Sequence, residues 1–140
     1  MGAVEGGPNV IYDGLVLYLD AANNKSYVSG STSWNDLTGN KNVGTLTNGP
    51  TFNTGSGGSI VFDGVDDYVN LGTSINFSNY NTSGFTISFW VKVNSTIQTN
   101  KYLFSKPNNA GTDNQFSVIY GYVANTYELY GGAGGVGANQ

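Results

Sequence analysis

Residues 59–72 read SIVFDGVDDYVNLG, and the pattern of this stretch decides the fold. Ile60 and Phe62 alternate on one side of an incoming arm, Val69 and Leu71 on one side of an outgoing arm, with Asp63, Gly64, Asp66 and Asp67 between them. Apolar alternation broken by turn residues is the mark of a β-hairpin. Gly64 supplies a positive φ without steric cost, and an Asp side chain bonds its own backbone two residues on. The carboxylates carry two readings. They are turn chemistry, or Asp63, Asp66, Asp67 and Asn70 form a set of hard oxygen ligands of the kind Ca²⁺ takes.

Outward from this stretch the chain alternates between strand patterns and polar, glycine-rich connections. Residues 85–93, FTISFWVKV, place Phe85, Ile87, Phe89, Val91 and Val93 on one side and Thr86, Ser88, Trp90 and Lys92 on the other, which predicts a central strand. Residues 14–20, GLVLYLD, predict a first strand, with Leu15 and Leu17 joining Ile60, Phe62, Phe85, Ile87, Phe89 and Val91 in the core. Residues 21–42 lack a period and predict a long loop that buries Trp34 and Leu37. Residues 43–52 predict two short strands around an Asn-Gly-Pro turn, residues 102–106 another strand, and residues 116–130 a hairpin turning at 124–126. No segment sustains a helical period, so the fold class is all-β, a sandwich of two antiparallel sheets. Residues 1–13 form an arm or linker, 14–130 the sandwich and 131–140 a Gly-rich tail.

Composition narrows the chemistry. A chain of 140 residues that is 39% hydrophobic can bury a core and is expected to form one domain. Only 10% of residues are charged and five are Lys or Arg, giving a net charge of −4. There is no basic patch for a nucleic acid or an anionic membrane, and no apolar run long enough for membrane insertion. The absence of Cys and His removes disulfides, thiol nucleophiles, the usual zinc sites and every His-dependent triad.

Five stretches then carry a resemblance. GLVLYLDAANNKSY, SWNDLTGNKNVGTL, NGPTF, SIVFDGVDDYV and FTISFWVKV, in that order and spacing, resemble the laminin-G-like branch of the concanavalin A-like lectin/glucanase superfamily. The resemblance covers residues 14–130 and implies a jelly-roll sandwich that binds ligands on its concave face or rim loops. Similar sequences, including the GGPN lead-in, occur in tailed-bacteriophage structural proteins and in bacterial surface proteins. Beyond Tyr130 such domains continue with further strands, where this chain has GGAGGVGANQ, so the sandwich is expected to lack its last strands. Its open edge is then covered by neighbouring subunits of an oligomeric or virion assembly, or the natural product is longer.

The superfamily includes glucanases, whose retaining members need two carboxyl groups about 5 Å apart across the scissile bond. The only glutamates are Glu5 and Glu128, and no strand carries the spaced acidic triplet of those enzymes, so the chain reads as non-catalytic. Sugar binding requires an aromatic face and convergent polar groups. Trp90 is the sharpest candidate, and Tyr120, Tyr122 and Tyr127 form a second candidate platform; for all four, burial or cross-strand pairing is the structural alternative. Two functions stand side by side. One is a virion protein, a capsid decoration or a tail or fibre component, with carbohydrate or host-surface binding. The other is a secreted or cell-surface lectin-like module. A fold of extracellular type without a signal peptide or cysteines favours the virion.

Overall fold

A computed structural model describes residues 10–73, 75, 84–93, 101–107, 114–120 and 127–131. The chain divides into two units, Met1–Thr86 and Ile87–Gln140. Among the described residues the regular structure is strand throughout, apart from one 3₁₀ turn at Gly55–Gly57, and every sheet is antiparallel. The fold is all-β.

In the first unit, β1 (Ser33–Asn35), β2 (Val43–Thr47) and β5 (Tyr68–Asn70) make one sheet in the order β1-β2-β5, and β3 (Thr51–Asn53) pairs with β4 (Ser59–Val61) in a second. The expected hairpin within residues 59–72 does not form, because its two arms pair elsewhere: β4 with β3 and β5 with β2. The true hairpin is longer. Its arms run from β2 through β3 and back from β4 through β5, turning at residues 54–58. Between the Thr47↔Tyr68 and Thr51↔Val61 pairs, residues 48–50 on one arm face residues 62–67 on the other, three against six. The acidic stretch is therefore a loop pushed out of the middle of a hairpin, and Phe62, at its base, is 45% exposed instead of lying in the core. Alternation alone cannot distinguish these arrangements, since it fixes each arm's faces but not its partner.

The hairpin tip is held by a close approach. Gly58 has φ 138°, and a Cβ there would lie 2.8 Å from the Ala21 carbonyl oxygen and 3.0 Å from Phe52 Cζ. Phe52 stacks at 5.3 Å on Tyr27, whose ring also meets Trp34 edge-on at 6.4 Å. Tyr27 is 4% exposed and, with Leu46 and Ile75, forms the buried apolar centre of this unit. Trp34 and Leu37, the expected anchors, are only half-buried; the period-free loop buries Tyr27 most deeply.

Gly14 closes a turn at φ 72°, and residues 15–20 join no ladder among the described residues. The polar stretch 36–42 stands in for a neighbouring strand. Asp36 Oδ1 accepts the amides of Tyr18 (2.9 Å) and Thr38 (2.9 Å), and Asp36 Oδ2 accepts the Thr38 hydroxyl (2.7 Å) and the Asn42 amide (3.2 Å). The Leu37 amide donates to Tyr18 O at 2.9 Å, and Asn40 Nδ2 donates to Val16 O at 2.9 Å. One step on, the fully buried Ser26 hydroxyl accepts the Asp20 amide (3.0 Å) and donates to Asn35 O (2.6 Å). Burial alone would raise the Asp36 pKa, but the hydrogen bonds from Thr38, Tyr18 and Asn42 outweigh it and hold the carboxyl below its ordinary value.

The second unit contains β6 (Lys101–Pro107), β7 (Asn114–Tyr120) and β8 (Tyr127–Gly131) in that order. The expected strand at 102–106 and the closing hairpin are both present, the latter in the register Phe116↔Gly131 to Tyr120↔Tyr127; the expected turn at 124–126 lies outside the described residues. Ser117, Ile119 and Tyr120 are buried. Residues 85–93, expected as the central strand, join no ladder among the described residues, and Phe85, Phe89 and Val91 are 39%, 45% and 44% exposed. A strand needs a hydrogen-bonded neighbour, which a sequence period does not supply.

Two outcomes follow from this packing. Leu46→Ala removes a buried side chain and is expected to cost about 2–5 kcal/mol, read by denaturation in a Trp90→Phe background where Trp34 is the only indole. Asp36→Asn places a donor where the Thr38 hydroxyl and Asn42 amide need an acceptor, at a cost of about 1.5–3 kcal/mol at neutral pH. Because the folded-state pKa is depressed, the carboxylate's contribution is full above the unfolded value of about 4 and disappears as pH falls through the folded one. Stability curves measured from neutral to acidic pH should therefore fall less for the variant than for the parent.

Candidate functional site

The acidic loop begins with two turn bonds. Asp63 Oδ1 accepts the Val65 amide at 2.7 Å, and Asp67 Oδ2 accepts the Asp63 amide at 2.9 Å. Gly64, at φ 78°, takes the left-handed conformation between them. From the opposite arm Asn48, itself at φ 69°, donates its Nδ2 to the Asp66 carbonyl at 2.8 Å, tying the loop's base across the gap. These bonds bring a carboxylate oxygen from each of Asp63, Asp66 and Asp67 within 4.8 Å of one another, with the first two side chains exposed and the third half-buried. Asn70 stands apart in role: it lies on β5 opposite Thr45, and its Oδ1 accepts the Gly72 amide at 2.8 Å.

Ca²⁺ takes six to eight oxygens at about 2.3–2.6 Å, so ligand oxygens on opposite sides of one ion stand about 5 Å apart. The three aspartates fit that span. Asp63 and Asp67 serve the loop through backbone amides, whereas the Asp66 carboxylate bonds to no group among the described residues. No lysine forms an ion pair with the three among the described residues.

The aromatic candidates separate. Trp90 is fully exposed, at 102%. Tyr120 is 8% exposed on β7, so its ring offers no open face to a ligand; it stands in register with Tyr127 on β8. Tyr122 lies outside the described residues. The structure thus gathers the three aspartates in one loop, and it places Trp90 in a separate unit from them.

Comparison with known proteins adds no relative: no family model, no curated protein and no solved structure matches the chain.

The two readings of the loop part on a single residue. Asp63→Ala leaves the Val65 amide without its acceptor and is expected to lower stability by about 0.5–1.5 kcal/mol even in EDTA. Asp66→Asn changes only a carboxylate that the loop itself does not use. If the loop takes Ca²⁺, millimolar Ca²⁺ raises the parent's melting temperature and leaves that of Asp66→Asn where it was; identical parent melts in Ca²⁺ and EDTA leave turn chemistry as the whole role.

Proposed function

We propose that this chain is a non-catalytic binding module of the concanavalin A-like, laminin-G-like jelly-roll kind. It is carried on a bacteriophage virion as a capsid decoration or a tail or fibre component, assembled there with other subunits, and it contacts a carbohydrate or host surface. The ordered motifs between residues 14 and 93 support the family, and the all-β architecture is compatible with it. A secreted or cell-surface lectin-like module is the alternative, and it would use the same ring.

The observation that carries the binding function is the exposure of Trp90. An indole is the largest apolar surface a side chain can leave in water, and its π face suits the C–H surface of a pyranose.

A glycan array probed with the parent protein and with Trp90→Ala tests this. Saturable binding to one glycan class, lost in the variant, is the expected result, and the variant should fold because the ring buries nothing. Absence of glycan binding together with recovery of the protein on purified particles would assign it a purely structural place. Protein found neither on particles nor on glycans would overturn the proposal.

A further inference from the structure

The first unit contains a groove of about 540 Å³ lined by Val10, Tyr12, Tyr18, Asn23, Lys25 and Leu37. Its polar groups are unequal in hydrogen-bonding capacity. Asn23 Oδ1 accepts the Lys25 amide at 3.0 Å, which leaves the Asn23 side-chain amide as a donor. The exposed Lys25 ammonium is donor-only and makes no ion pair among the described residues. The Tyr18 hydroxyl donates to Asp20 Oδ2 at 3.4 Å, and burial, then the charges of Asp20 and Tyr12, raise its pKa above the ordinary value. Asp20 itself is not among the lining residues and is further engaged by the Ala22 amide at 2.9 Å. Among the described lining residues Lys25 is the charged one, and Tyr12, which also lines the groove, is 60% exposed.

We infer that this groove binds an acidic sugar, a pyranose bearing a carboxylate, with the Tyr12 ring against its C–H face and the donors of Lys25 and Asn23 on its carboxylate. The inference rests on the glycan-binding reading above but places a site in the first unit, away in sequence from Trp90. Charge and donor complementarity select the anion, since a neutral sugar offers Lys25 only hydroxyl oxygens. The apolar walls, Val10 and Leu37, and the tyrosine ring select a ring-shaped ligand over a bare ion.

Calorimetric titration of the full chain with galacturonate, glucuronate and N-acetylneuraminate oligosaccharides, and with their methyl esters, tests it. The acid of at least one sugar should bind about tenfold more tightly than its ester, the scale of one charge-assisted hydrogen bond, and added salt should narrow the gap. Lys25→Gln should bring acid and ester to equal affinity, and Tyr12→Ala should weaken both. Equal affinity of acid and ester for the parent, acid binding that survives both groove substitutions, or no binding of any acid would overturn the inference. If glycan-array binding vanishes with Trp90→Ala and is untouched by Lys25→Gln and Tyr12→Ala, the proposed function stands and this site falls.

Discussion

The carboxylate of Asp36 is the constraint on which the first unit depends. Residues 15–20 bring an apolar segment that has no strand beside it among the described residues, and an unpaired backbone cannot be packed without cost. Asp36 meets that need by accepting Tyr18's amide while the same carboxylate fixes Thr38 and Asn42, so one side chain shapes a loop and supplies part of a missing ladder. Charged acceptors bind amides more strongly than neutral ones, which is why a single aspartate can serve so many donors. Its depressed pKa is the same fact seen as protonation.

The long hairpin depends on that loop in turn. Ser26 and Asn35 exchange bonds across it (Asn35 amide to Ser26 O, 2.7 Å), fixing β1 beside β2 and presenting Tyr27 to Phe52 and Trp34. Aromatic contact at these distances adds about 0.5–1.5 kcal/mol per pair to the area buried. It also ties the hairpin's far arm to the loop, so the interruption at residues 48–50 and 62–67 does not separate the two short sheets. The acidic loop can then project from a hairpin secured on both sides of it. A cluster of like charges in an exposed loop is tolerated there because water screens it.

The proposed binding groups lie on surfaces that have little to do with the buried centre. Trp90 lies outside any ladder among the described residues, the aspartates occupy a loop pushed out of a hairpin, and the Tyr12–Lys25 groove is bordered by residues before the first strand. Connections carry ligand-facing groups because their backbones are free of the register that strands impose.

The sequence by itself determined the strand class, the hairpin at residues 116–130, the strand-turn-strand at 43–52 and the turn chemistry of Asp63 and Gly64, because each is written in local alternation or in the φ preference of one residue. It also picked out the three aspartates, since they sit within five consecutive positions. What it could not contain was partnership. The same alternation that marks residues 59–61 and 68–70 as strands is silent on whether they pair with each other or with 51–53 and 43–47, and only the tertiary structure decided for the latter. FTISFWVKV shows the limit most clearly: its period is the cleanest in the chain, yet period assigns faces and not neighbours. Asp36 and the groove residues Tyr12, Tyr18, Asn23 and Lys25 were equally hidden, the first inside a polar stretch without a period and the others spread along the chain at no shared spacing. Hydrogen bonds and grooves between distant segments are properties of distance in space, and a one-dimensional pattern records only distance along the chain.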